Sequence, residues 1–172
     1  MEFYLTSNSS RLTSQILFYV FKFSSINVPF PDDFFDVVMS KWAFQTSEDI
    51  DSIYKEIVRV LKPGGYFIYL TSHPIRQFIE KKCKGKNYFK KEIVTSVFFD
   101  GQVVVKEPSH TLNEYLSRIF FENFILEVYE EGYDSGAEKV DGDIYPSYFI
   151  IKALRKKLLN EYMKEYIKLH KL

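Results

Sequence analysis

The sequence predicts an α/β fold, on three observations. A short continuous apolar run, Phe35-Asp36-Val37-Val38-Met39-Ser40, has the make-up of a strand buried on both faces of a parallel sheet. An amphipathic helical pattern follows it, and Lys62-Pro63-Gly64-Gly65 then separates that pattern from a second apolar run, Tyr66 to Leu70. Strand, helix and strand in that order form a βαβ unit, whose crossover is right-handed and whose strands run parallel. The length of 172 residues suits one domain, and 46% apolar residues supply a core.

Taken in order, residues 1–15 are rich in Ser, Thr and Asn and read as a loose leader. Ile16 to Phe23 is β-branched and aromatic, a strand by length and composition. Val28-Pro29-Phe30-Pro31-Asp32-Asp33 turns the chain into the strand at 35–40. The helix after it takes N-cap oxygens from Thr46 and Ser47 and negative charge from Glu48 and Asp49. Ile50, Ile53, Tyr54, Ile57 and Leu61 recur at spacings of three and four, giving one apolar stripe. Pro-Gly-Gly ends it. A short helix runs from Ile75 to about Lys84. Ile93 to Phe99 and Gln102 to Glu107 flank Asp100-Gly101, the signal for a hairpin standing apart from the main sheet within an insertion at 86–110. Thr111 to about Phe121 reads as a helix. Phe124 to Tyr129 and Tyr145 to Ala153 read as two neighbouring closing strands. Residues 154–172 read as a basic amphipathic helix, with Leu154, Leu158, Tyr162, Tyr166 and Leu169 in its stripe.

Charge and composition exclude several classes. Twenty-three basic and 23 acidic side chains cancel, so no global basic field for nucleic acid exists. A single cysteine, Cys83, excludes a disulfide framework or a thiolate metal cluster and fits a reducing compartment. The longest N-terminal apolar run, Ile16 to Phe21, is broken by Lys22 and falls well short of a membrane span. A cytoplasmic protein is the resulting expectation, with no membrane span and no metal site.

Two segments carry a resemblance. Val28-Pro29-Phe30-Pro31-Asp32-Asp33-Phe34-Phe35-Asp36-Val37-Val38 and Glu56-Ile57-Val58-Arg59-Val60-Leu61-Lys62-Pro63-Gly64-Gly65 resemble, in order and at matching separation, two segments of class I S-adenosylmethionine-dependent methyltransferases of the UbiE-like type. The likeness extends over roughly residues 16–153 and is best between 28 and 70. It implies a partial doubly wound, Rossmann-like methyltransferase sheet with a substrate-side hairpin, S-adenosylmethionine as cofactor and a small-molecule substrate. By the same resemblance Ser40, Lys41 and Trp42, at the carboxyl end of the first buried strand, line the methionine and sulfonium end of the cofactor. An aromatic ring there has a cation–π rationale. The position near the adenine, acidic in relatives, falls on Ser24.

The sequence also departs from the family. Its glycines are Gly64, Gly65, Gly85, Gly101, Gly132, Gly136 and Gly142, so no G-x-G stands early enough to form the cofactor-cradling loop. Where relatives carry His-Arg-Thr-Leu this chain has Ser109-His110-Thr111-Leu112, and where they continue Ala-Leu-His-His it has Ala43-Phe44-Gln45-Thr46. His73 and His110 are the candidate catalytic bases near neutral pH. Tyr115 and Tyr145 are candidates to line the substrate. Two functions therefore stand: a small-molecule methyltransferase of which this chain is a truncated form binding cofactor weakly by itself, or a non-catalytic, methyltransferase-like interaction subunit. Without the family's first strand, the strand at 35–40 has an unpaired edge. The expected cover is Ile16 to Phe23, or a second chain in a homodimer or hetero-complex.

Overall fold

The structure is a computed structural model that describes residues 2–7, 17–21, 28–81, 86–98, 103–133, 139–140 and 142–157. Its main sheet has six strands: β1 (Glu2–Ser7), β2 (Leu17–Phe21), β3 (Phe35–Lys41), β4 (Leu61–Ser72), β7 (Phe124–Gly132) and β10 (Tyr148–Arg155), in the order β2-β1-β3-β4-β10-β7. Between these in sequence stand α1 (Ile50–Val60), α2 (Pro74–Arg76) with a π-turn over Gln77–Lys81, β5 (Ile93–Phe98), β6 (Val103–Pro108), α3 (Leu112–Tyr115), α4 (Arg118–Asn123), β8 (Lys139–Val140) and β9 (Asp143–Ile144).

The βαβ unit forms as its residues dictate. β3 and β4 pair in parallel, Val37 opposite Tyr66 through Lys41 opposite Leu70. Phe35 pairs with Leu61, so Lys62 to Gly65 are extra residues that loop out of the ladder, with Gly64 in the left-handed region at φ 78°. Gly65 has no room for a side chain: a Cβ there would lie 2.8 Å from the Asp36 carbonyl oxygen. The cap of α1 differs from the expectation. Phe44–Thr46 form a 3₁₀ turn, in which Thr46 Oγ1 donates back to Ala43 O, and Asp49 is the N-cap, its carboxylate accepting from Ser52 N at 2.9 Å. Asp49 reaches the third amide of the helix, which Thr46 and Ser47 stand too early to do.

The two family-like segments prove to be one contact. Arg59, on the last turn of α1, donates to Phe30 O at 2.7 Å, Val28 O at 3.0 Å and Asp32 Oδ1 at 2.9 Å, and forks onto both oxygens of Glu56 at 2.6 and 2.9 Å. Glu56 in turn accepts Val28 N at 2.8 Å. Helix α1 thereby holds the backbone that leads into β3. Burial opposes ionisation of Glu56, but the Arg59 fork and the Val28 amide outweigh it and keep its carboxyl below its ordinary value.

The core lies between the sheet and α1, α3 and α4, and it is aromatic. Phe44, Tyr54, Phe67, Tyr69, Tyr115, Phe120, Phe124 and Phe149 are all sealed from solvent. Their hydroxyls are satisfied internally: Tyr54 donates to Tyr115 O at 2.6 Å, which leaves Tyr69 to donate to the Tyr54 oxygen at 2.9 Å.

Four further expectations require correction. The residues read as a leader supply β1, which pairs antiparallel with β3 over Glu2–Lys41 to Thr6–Val37. The run at 16–23 does form β2, but it pairs with β1 and takes the sheet edge, not the place beside β3. The helix expected from Thr111 breaks at Leu116 into α3 and α4, because Ser117 caps a new helix by accepting from Phe120 N. Leu154 and Arg155 belong to β10, so the C-terminal helix does not start at 154; residues 158–172 lie outside the described ones. The closing strands β7 and β10 are antiparallel neighbours, and β5 pairs with β6 in a separate two-stranded sheet. Its Asp100-Gly101 turn lies outside the described residues.

Candidate functional site

In sheets of this kind ligands sit beyond the carboxyl ends of the parallel strands. Here that region holds a set of buried polar side chains: Gln45, Thr71, His73, Gln77, Glu107 and His110, each with under 3% of its surface exposed. They come from four elements. Thr71 lies at the end of β4 and His73 directly after it, Gln45 sits in the turn after β3, Gln77 opens the π-turn, and Glu107 and His110 belong to β6 and the segment behind it. Thr71 Oγ1 donates to Gln45 Oε1 at 2.9 Å, His110 N to Gln77 Oε1 at 3.2 Å, and Gln77 Nε2 to Glu107 Oε1 at 3.2 Å. Ser96 Oγ donates to the same Glu107 oxygen at 2.6 Å, tying the hairpin into the network.

Two buried polar atoms of this region are left over. Ser40 Oγ and His110 Nδ1 have no hydrogen-bonding partner among the described residues. Such atoms carry a desolvation cost that a ligand group can offset. His110 Nε2 lies 3.0 Å from Gln45 O, which can only accept, so in the neutral ring Nε2 carries the hydrogen and Nδ1 the lone pair. Burial lowers the His110 pKa and keeps it neutral near pH 7, although Glu114 Oε2 at 3.6 Å pulls the other way.

The expected site residues divide. Ser40 is buried at the carboxyl end of β3, with Lys41 exposed beside it. Trp42 leaves the strand with φ 53°, rare for an aromatic residue, held by its amide donating to Leu70 O at 3.0 Å, and its ring meets Tyr148 edge-on. His73 has both ring nitrogens engaged. Its Nδ1 accepts from Ile75 N at 3.2 Å, capping α2, and its Nε2 therefore donates to Glu131 Oε1 at 2.9 Å. Tyr115 is buried in the core: its ring packs on Phe149 and His110, and burial pushes its pKa well up. Tyr145 is half-buried, its carbonyl accepting from Arg76 and its hydroxyl donating to Asp143 at 3.2 Å. Ser24 lies outside the described residues. Gln45, Gln77 and Glu107 escaped the sequence reading, since amide and carboxylate side chains on turns and strands look solvated. A signal existed only for Glu107, the one acid of β6.

A family model described as "Methyltransferase domain" matches residues 5–69. A demethylmenaquinone methyltransferase of Symbiobacterium thermophilum is 46% identical over 57 residues, covering 33% of this chain and 23% of the relative. The ubiquinone/menaquinone biosynthesis C-methyltransferase UbiE of Vibrio parahaemolyticus is 38% identical over 55 residues, covering 31% and 21%. The chain thus spans about a quarter or less of these relatives. Among solved structures, a putative S-adenosylmethionine-dependent methyltransferase from Listeria monocytogenes superposes with a TM-score of 0.60 at 22% identity, over 77% of this chain and 66% of that one. The chain is thus similar, over part of its length, to S-adenosylmethionine-dependent methyltransferases, and the superposition shows that it shares their fold; S-adenosylmethionine is the cofactor named for those proteins.

The residues present fit that cofactor only in part. Ser40 offers an unsatisfied hydroxyl where the resemblance puts the methionine end. A backbone cradle for ribose and carboxylate is a different matter. The strand beside β3 is antiparallel, so its carboxyl end at Ser7 lies at the opposite end of the sheet from Ser40, and its sequence contains no glycine. The described part of the chain does not assemble a complete cofactor site.

Proposed function

We propose that this chain is the acceptor-side portion of an S-adenosylmethionine-dependent methyltransferase acting on a small molecule, and that by itself it holds the cofactor weakly or not at all. The observation that carries the reading is the buried polar network at the carboxyl ends of β3 and β4, with Ser40 Oγ and His110 Nδ1 left for a ligand. The relatives named for demethylmenaquinone and for ubiquinone and menaquinone biosynthesis suggest a quinone-type ring as acceptor. Methyl transfer is an in-line displacement, so positioning supplies most of the acceleration, and a base is needed only when the nucleophile carries a proton. His110 suits that role: Gln45 O fixes its tautomer, Nδ1 presents the lone pair, and Glu114 stands ready to stabilise the imidazolium. Ser40 would orient an acceptor oxygen. The outer edge of β2, last in the sheet, is proposed to take up a strand from a second copy or a partner chain.

Two measurements test the reading. Calorimetric titration of the chain with S-adenosylhomocysteine should give no isotherm at micromolar concentration, and a clear one would overturn the cofactor half of the proposal. Menadione, a naphthoquinone probe, should quench Trp42 fluorescence saturably, and the quenching should weaken in a Ser40→Ala, His110→Phe variant. Linear, non-saturating quenching that both proteins share would remove the acceptor half.

A further inference from the structure

Outside the candidate site, the segment that enters the hairpin and the hairpin's outward face combine two features seldom placed together in a solvated loop. The first is exposed apolar surface. Phe89 is 82% exposed, Ile93 60% and Val104 61%. Ile93 and Val104 alternate with the buried Val94 and Glu107, so they share the face turned away from the polar network, with Thr95 and Lys106 between them. The second is a local charge excess in a chain that is neutral overall. Residues 81–92 contain six lysines (81, 82, 84, 86, 90 and 91) against one acid, Glu92. Lys91 is paired with Glu114 and Lys90 lies 3.2 Å from Glu92, but Lys86 donates to a neutral carbonyl, that of Ile79, and Lys106 adds a further positive charge on the outer face.

We propose that the exposed Ile93 and Val104 of the hairpin's outer face, with Lys106 between them, act together with Phe89, Lys86 and Lys90 of the segment that enters the hairpin as a peripheral docking site for an anionic lipid bilayer. The apolar side chains enter the headgroup boundary, and the ammonium groups meet the negative surface potential while their methylene stems lie along the apolar patch. Charge complementarity selects this occupant over a protein groove: exposed apolar side chains among lysines, with a single acid in 81–92, suit an extended anionic surface. Because Ser96 and Glu107 of the same hairpin belong to the buried network on the other face, docking would set the candidate site against the bilayer. The proposal does not rest on the reading of the cofactor or the acceptor.

Co-sedimentation with vesicles tests it, using the full chain. It should pellet with phosphatidylcholine vesicles carrying about 30% phosphatidylglycerol and not with phosphatidylcholine alone, and binding should fall in about 0.5 M salt. A Phe89→Ser, Val104→Ser variant, exposed at both positions and of unchanged melting temperature, should bind roughly tenfold more weakly. A Phe89→Trp variant should show blue-shifted emission on the anionic vesicles. Absence of anion-dependent pelleting overturns the proposal. So does a double variant that pellets like the parent, which would move any binding to another basic segment such as Lys156 to Lys171, and so does tryptophan emission indifferent to vesicles.

Discussion

Replacing Arg59 by Met removes the link between α1 and the segment entering β3 while keeping an unbranched apolar stem. Five hydrogen bonds go: two to the carbonyl oxygens of Val28 and Phe30, two to Glu56 and one to Asp32. They are not equal. Asp32 is 74% exposed, and an ion pair to so open a group is worth at most a few tenths of a kcal/mol. Glu56 is only 11% exposed, so its carboxylate loses a fork that water restores poorly, a cost of about 1 kcal/mol. The two carbonyl contacts are partly buried and contribute about 1 kcal/mol between them after solvent has competed for the 28%-exposed guanidinium. The sum is a destabilisation of about 2–3 kcal/mol, or a melting temperature lower by about 5–10 °C for a domain of this size. Urea unfolding of the parent, Arg59→Met, Glu56→Gln and the double variant gives the coupling directly, with about 1 kcal/mol expected between the two side chains. Arg59→Lys should recover little, since an ammonium cannot fork onto Glu56 and span two carbonyls at once. The pH dependence supplies a sign. The folded-state pKa of Glu56 lies below its ordinary 4.5, so its contribution is complete above that value and drains away as the pH falls through the folded pKa. A change below about 0.5 kcal/mol on Arg59→Met would refute the clamp as a stabilising contact.

Two further substitutions probe other links. Gly65→Ala places a Cβ 2.8 Å from the Asp36 carbonyl oxygen and 2.9 Å from that of Lys62, so we expect a loss of about 1–3 kcal/mol by thermal unfolding; an unchanged stability would mean the loop relaxes freely. His110 is buried neutral with a pKa below 6.5, so the unfolded chain takes up the proton first. Stability should be complete above pH 6.5, decline as the pH falls toward the folded-state pKa and then level off, a decline that a His110→Gln variant lacks. Identical pH profiles for the two proteins would contradict the assignment.

The amino-acid sequence alone determined the βαβ unit, because both of its signals are local. An apolar run too short for a helix reads as a buried strand, and a stripe at spacings of three and four reads as an amphipathic helix, whatever surrounds them. The resemblance was equally legible in 28–38 and 56–65, yet the reason those segments occur together was not: Arg59 touches Val28, Phe30 and Asp32 across about thirty residues, a contact no periodicity encodes. Strand order had the same character. Backbone hydrogen bonding to β3 is indifferent to side-chain type, so the short Phe3-Tyr4-Leu5 run, overlooked before the Ser-, Thr- and Asn-rich residues that follow it, could pair there, and the longer apolar run took the edge. Only the tertiary structure decided which polar groups are functional candidates. His73 and His110 are indistinguishable as letters, but one has both nitrogens committed while the other keeps a lone pair in a dry, hydrogen-bonded network. That difference arises from where Gln45 O, Ile75 N and Glu131 stand, and chain folding alone brings them there.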